Sequence, residues 1–168
     1  RSLERLYGYQ DALAAAGLTE PCRVHSLSKD ELTALASRVD SGVPPFLEFS
    51  RPSLGREMFP RAKQLAPDLD AVFCNNDSLA LGVLFECHAQ GVRVPEDIGI
   101  AGFNDLDFMD ACVPALSSVR THRYRNGYAA VSAVREMLAG AYEGPRVVDL
   151  GVEVIARRST ERGGPGRS

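Results

Sequence analysis

No apolar run among the 168 residues approaches the ~18 that a membrane-spanning helix needs, so no membrane partner is expected. A basic excess is missing too. The chain has 19 Lys and Arg against 22 Asp and Glu, a net charge of −3, whereas a nucleic-acid-coating surface carries a positive surplus. The four cysteines, Cys22, Cys74, Cys87 and Cys112, form no C-x-x-C pair. Three lie in apolar segments and read as small buried hydrophobes. Unpaired thiols point to a reducing compartment, and a cytoplasmic location is expected. His25, His88 and His122 lack metal-ligand spacing. Gly-x-Ser-x-Gly and phosphate-loop motifs do not occur. Cys74 beside Asn75 has no adjacent base to make it a nucleophile. The chain is therefore expected not to be an enzyme, and no metal or cofactor is implied.

What is present has the balance of a globular protein, 45% hydrophobic and 24% charged, at a length that supports one domain or two small lobes. The informative stretch runs from Asp70 to Asp105. It reads as strand (Ala71–Cys74), polar turn (Asn75-Asn76-Asp77), helix, stop at Gly91, strand (Ile98–Phe103) and a second polar turn (Asn104-Asp105). Strand, helix, strand in about thirty residues is a βαβ unit with a right-handed crossover. Ligands of open parallel sheets bind beyond the carboxyl ends of the strands. Two strands ending in amides and carboxylates thus describe the rim of a polar small-molecule pocket.

Elsewhere, apolar spacing predicts a helix over Leu3–Ala16 stopped by Gly17, a short helix over Asp30–Val39, and a helix over Ser53–Leu65 with Met58, Ala62 and Leu65 inward and Pro60 as a possible kink. Cys22–Leu27 and Phe46–Phe49 are short strand candidates. Asp77 or Ser78 is the expected cap of the helix after the first polar turn. Leu106–Pro114 reads as irregular or a short helix, Leu116–Thr121 as a strand, Tyr124–Leu138 as a helix and Val147–Ile155 as a last strand. Residues 158–168, with Gly163-Gly164-Pro165-Gly166, are expected to form a flexible tail. The βαβ order calls for a strand ahead of the Leu3 helix, and the chain is read as starting after it.

Several segments, taken together, resemble the LacI/GalR family of bacterial repressors. They are Arg5-x-x-Gly8-Tyr9-x-x-Ala12-Leu13, Val72-Phe73-Cys74-Asn75-Asn76-Asp77-x-Leu79-Ala80-x-Gly82, Gly91 through Asp105, and Pro114-x-Leu116-x-Ser118-Val119 followed by Gly127. They keep the family's order from about Arg5 to Ser159. Asp70–Asp77, Leu84–Cys87, Ile100–Asn104 and Val148–Gly151 are most similar to its gluconate-operon repressor branch. The resemblance implies an α/β fold, a parallel-sheet lobe like that of periplasmic binding proteins. It would be the second lobe without its first strand, plus a return segment of the other lobe. The implied division is 1–115 for the C-terminal lobe, 116–141 for the return segment of the N-terminal lobe, 142–157 for a final strand of the C-terminal lobe, and 158–168 for the tail.

The resemblance also implies a function. The chain is expected to be the effector-binding region of a DNA-binding repressor sensing gluconate or a related sugar acid. Operator DNA would be gripped by a helix-turn-helix head that these 168 residues do not include, and the intact protein would be a homodimer. The other readings are a sugar-binding protein of a transporter and a nonfunctional fragment of a broken repressor gene.

Arg5, Asn76 and Asn104 match ligand-contact positions of the family. Arg5 offers a planar fork for a carboxylate or vicinal hydroxyls. Asn76 can bind hydroxyls or cap a helix, and Asn104 can bind a hydroxyl or serve as a turn residue with an unusual backbone angle. Many relatives carry Asp where Asn104 stands, so this pocket has one anion fewer, as an anionic ligand would favour. Arg123 is a candidate to close on the carboxylate from the other lobe. Ser50 and Arg51 are candidate lining residues.

Overall fold

The computed structural model describes residues 2–18, 28, 30–31, 51–141, 144 and 147–162. Among them, four strands form one sheet in the order β1-β2-β3-β4: β1 (Ala71–Phe73), β2 (Gly99–Asn104), β3 (Ser117–Thr121) and β4 (Val152–Ile155). β1 and β2 are parallel, with Phe73 opposite Ala101. β2 and β3 are parallel as well, which sets Asn104 opposite Arg120. β4 runs antiparallel to β3, with Thr121 opposite Val152. The expected α/β parallel sheet is therefore observed, carrying one antiparallel strand at its edge.

Among the described residues, five helices accompany the sheet: α1 (Ser2–Ala15), α2 (Pro52–Leu65), α3 (Asp77–Gln90), α4 (Phe108–Ala111) and α5 (Arg123–Leu138). α3 is the crossover between β1 and β2, and Gly91 ends it in the left-handed conformation. It is apolar on nearly every side because it lies between two layers, with α2 on one side and β2 on the other. Its Ala80, Val83, Leu84 and Cys87 join Ile98 and Ile100 of the β2 segment, Phe59 of α2, Met109 of α4 and Leu116 in one buried core.

β2 owes its place to small residues. A Cβ on Gly102 would collide with the Asp77 side chain and lie 3.0 Å from Met109 Cε. A glycine here lets the first turn of α3 press directly onto the end of β2.

The expected inward face of α2 needs correction. Leu54, Gly55 and Phe59 are buried, while Leu65 is 64% exposed and Met58 and Ala62 are half-buried. The backbones of α2 and α3 touch at Gly55 and Gly82, and that crossing rotates the contact face away from Leu65. A glycine contributes nothing to an apolar repeat, so the pattern misplaced the stripe. The helix continues through Pro60.

The tail also needs correction. Arg158–Thr160 form a 3₁₀ turn in which Ser159 is fully buried. Ser159 Oγ donates to Ile100 O (2.6 Å) and accepts from the Ser117 amide (2.8 Å), tying β2 to β3. Arg162 donates to the carbonyls of Pro95 and Asp70. The polar composition of this stretch hid the fact that its groups are satisfied internally. Residues 163–168, both strand candidates before Arg51, and the Asp30–Val39 helix beyond Asp30 and Glu31 lie outside the described residues.

β3 hydrogen-bonds into the sheet, so the part of 116–141 up to Thr121 shares it with β2 and β4. Beyond it, α5 has no buried residue, and Tyr124, Tyr128, Val131 and Leu138 are exposed along it.

Candidate functional site

The carboxyl ends of β1 and β2 lie side by side because the strands are parallel neighbours. Each ends in polar residues: Asn75-Asn76-Asp77 after β1, and Asn104-Asp105 at the end of β2. α1 brings Arg5 to this edge. Arg5 Nη1 donates to the Asn75 carbonyl (2.7 Å) and to Asn75 Oδ1 (2.9 Å). Its guanidinium carbon sits 3.8 Å from the centre of the Phe103 ring, a cation–π contact that contributes about 0.5–2 kcal/mol. Arg5 thus touches the neighbour of Asn76 just beyond β1 and the neighbour of Asn104 on β2. These two contacts are with neutral groups.

Asn76, not Asp77 or Ser78, caps α3. Its backbone is extended and its Oδ1 accepts from the Leu79 amide at 2.9 Å. The cap uses the oxygen and leaves the Nδ2 donors for other partners.

Asp77 has a different role. It is fully buried, with Oδ1 accepting from Ser118 Oγ (2.7 Å) and Oδ2 from the Leu106 amide (2.7 Å). Sequence reasoning took it for a cap because caps favour aspartate. The tight approach permitted by Gly102 turns its carboxylate towards β3 and the turn after β2 instead.

Asn104 and Asp105 both have positive φ, 115° and 54°. Consecutive non-glycine residues in this region are uncommon, and each costs about 1–3 kcal/mol unless its surroundings hold it. Asn104 is half-buried, and its side chain has no hydrogen-bond partner among the described residues. Asp105 is held from several sides. Its amide donates to Ser118 Oγ (3.1 Å), and its carboxylate lies 2.7 Å from Arg120 Nε and 2.7 Å from Arg157 Nη1. Burial pushes this carboxyl up, but the Arg157 and Arg120 guanidiniums outweigh it and hold the group below the ordinary value of 3.8.

Arg123 begins α5 and reaches the same edge. Its Nη2 lies 3.5 Å from the Asp105 carbonyl and 3.5 Å from Asp107 Oδ1, with the side chain half exposed. Arg51 is the N-cap residue of α2 and half-buried; Ser50 lies outside the described residues. Arg5, Asn76, Asn104 and Arg123 are therefore all placed at one edge of the sheet. No group of His, Cys, Asp and Glu suited to a metal occurs among the described residues. Burial pushes the Cys74 thiol up to about 12, with help from the neighbouring Asp77 charge, so it stays protonated at neutral pH.

A family model described as a periplasmic binding protein-like domain matches residues 1–160. The chain belongs to that family. It is 37% identical over 160 residues to the HTH-type transcriptional regulator GntR of Pseudomonas aeruginosa, a match covering 95% of this chain and 41% of that protein. Among solved structures, the transcription regulator GntR from Chromobacterium violaceum superposes with a TM-score of 0.71 at 35% identity, over 95% of this chain and 52% of that one. A LacI family transcriptional regulator from Arthrobacter sp. FB24 in complex with lactose gives a TM-score of 0.61 at 28% identity, over 66% and 43%. The chain spans about half or less of each of these proteins. The LacI/GalR resemblance read from the motifs therefore holds, and it concerns the family's ligand-binding core.

Three contributors to this periplasmic-binding-protein-like edge escaped sequence reasoning as individuals. Asn75 and Phe103 seat Arg5, and the Arg120–Asp105–Arg157 cluster anchors the turn after β2. An aromatic one residue before a strand-terminal Asn is a usable signal for a guanidinium platform. Arg157 gave none, since it lies 52 positions from Asp105 within a polar stretch.

Proposed function

We propose that this chain is the effector-binding part of a cytoplasmic, dimeric LacI-type repressor, and that the effector is gluconate or a related sugar acid. The observation that carries the reading is the seating of Arg5 across the ends of β1 and β2, flanked by Asn76 and Asn104. A guanidinium fork beside two amides suits a molecule with one carboxylate and several hydroxyls. Arg123, with its Nη2 3.5 Å from the Asp105 carbonyl, supplies a second cation that can close on the carboxylate. That two regulators named GntR are among the similar proteins supports the same direction.

In this reading, residues 1–115 and 142–157 make one lobe, and α5 lies in the return segment, 116–141, that belongs to the other. The unburied apolar side chains of α5 favour that assignment. Effector bound between the lobes shifts their arrangement only by its differential affinity for the two states. That coupling energy sets the change in operator affinity made through the DNA-reading head.

The test is a thermal-shift series with potassium D-gluconate, D-glucose and 6-phospho-D-gluconate, on the wild-type chain and on Arg5→Ala. D-Gluconate is expected to raise the wild-type melting temperature more than D-glucose does, and to leave Arg5→Ala unchanged. Equal shifts in the two proteins, or a response to D-glucose alone, would overturn the reading.

A further inference from the structure

Asp105 lies at the site but is unsuited to meeting ligand, because its carboxylate side chain is 5% exposed and already held by two guanidiniums. Its surroundings form a closed set of contacts around one short turn. Ser118 Oγ accepts from the Asp105 amide and donates to Asp77 Oδ1, while Asp77 Oδ2 accepts from the Leu106 amide. The amides of Asp105 and Leu106 are thus tied, through Ser118 and Asp77, to β3 and to the first turn of α3. The carboxylate adds two further ties, to Arg120 on β3 and to Arg157 just after β4. Arg157 is itself fixed by its Nη1 donating to the Leu116 carbonyl (2.8 Å) and its amide donating to Ser117 Oγ (2.8 Å). Arg120 is held on its outer side by Glu153 of β4 at 3.3 Å.

These ties surround the two positive-φ residues, Asn104 and Asp105. A chain left to itself avoids two consecutive non-glycine residues in that region. Asn104 has no side-chain hydrogen bond of its own among the described residues to impose its backbone angle. Beyond its place opposite Arg120 in the ladder, the constraint comes from its neighbour.

We infer that Asp105 is a positioning residue: its double-arginine clamp imposes the left-handed backbone of Asn104 and so aims the Asn104 amide for effector binding. The aiming role rests on the functional reading above; the backbone role does not. The same clamp joins the turn to β3 and to the end of β4, the strands on either side of α5 in the chain. Rigidity at the site is therefore shared with the stretch that leads out to α5 and back.

The experiment compares the wild-type chain with Asp105→Asn by NMR. A strong intraresidue amide–Hα cross-peak at residue 104 reports positive φ, and a titration with potassium D-gluconate gives the affinity. In Asp105→Asn the cross-peak is expected to weaken to the level of an extended residue and the affinity to fall at least tenfold. The Leu79 amide, which reports the Asn76 cap, should stay unshifted. A retained cross-peak with unchanged affinity would overturn the inference.

Should Asp105→Asn not fold, Arg120→Gln removes one arm from the half-exposed side of the clamp. It is expected to reduce the cross-peak and weaken D-gluconate binding three- to tenfold, and an unaltered cross-peak overturns the inference there too. If the wild-type chain shows no affinity for D-gluconate, the functional reading fails. The aiming role fails with it, and the cross-peak still decides whether Asp105 sets the backbone.

Discussion

Replacing Asn76 by Asp separates two duties that the native residue combines. The cap requires only an oxygen acceptor for the Leu79 amide, now 2.9 Å from Oδ1, and aspartate caps helices as well as asparagine does. A carboxylate at the start of α3 also gains about 0.3–1 kcal/mol from the helix dipole. Folding stability should therefore hold or rise slightly, whereas Asn76→Ala should lose about 1 kcal/mol with the cap.

Binding should go the other way. The substitution removes the Nδ2 donors and sets a negative charge beside a site assigned to an anion. Two unit charges ~5 Å apart repel by about 3 kcal/mol at an effective dielectric constant of ~20. Solvent screening and the nearby Arg5 reduce this, leaving an expected loss of about tenfold or more in affinity for D-gluconate, or about 1.4 kcal/mol. D-Glucose, which is neutral, should lose only the donors. Urea unfolding followed by circular dichroism gives the stability, and calorimetric titration the affinity. An Asn76→Asp protein that unfolds as easily as Asn76→Ala would refute the cap argument. One that binds D-gluconate as tightly as wild type would refute the electrostatic one.

Four further outcomes follow from the structure. Gly82→Ala should destabilise by about 1–3 kcal/mol despite the better helix propensity of alanine, because its Cβ would collide with the Pro52 carbonyl and lie 2.9 Å from Gly55 Cα. Gly8→Ala in α1, where among the described residues nothing outside the helix's own backbone lies within 4 Å of the added Cβ, should stabilise by up to ~1 kcal/mol, and urea midpoints check both. Stability should drain as pH falls below about 4, since the Asp105 carboxyl has a lowered value in the folded state and regains its ordinary one on unfolding. Asp105→Asn should flatten that part of the pH profile of the melting temperature. Cys74 and Cys87, buried and held at about 12 and about 11, should react with a thiol reagent at pH 8 only as fast as the protein unfolds.

The sequence disclosed most where a single physical signal dominated. The crossover helix, the parallel pair it joins, and the polar ends of β1 and β2 follow from apolar periodicity interrupted by Asn, Asp and Gly. Arg5, Asn76 and Asn104 were marked by motif and are found at one edge.

The sequence disclosed less where packing depends on what side chains lack. The α2 face turns on the bare backbones of Gly55 and Gly82, which a hydrophobic pattern scores as gaps. Asp77 has the chemistry of a cap, and only the closeness of β2 at Gly102 explains why it bonds to Ser118 and Leu106 instead. Ser159, Arg157 and Arg162 lie in a stretch whose polarity resembles that of a loose terminus. Their partners, Ile100, Asp105 and Pro95, are more than fifty positions away, and no local pattern encodes such a distance.

The most direct test of the central claim is to record the side-chain NMR signals of Arg5, Asn76 and Asn104 while potassium D-gluconate is added to the wild-type chain. All three should shift together along one saturable curve, with D-glucose producing smaller shifts at the same concentration. Movement confined to other residues, or these three staying still while D-gluconate binds elsewhere, would contradict it.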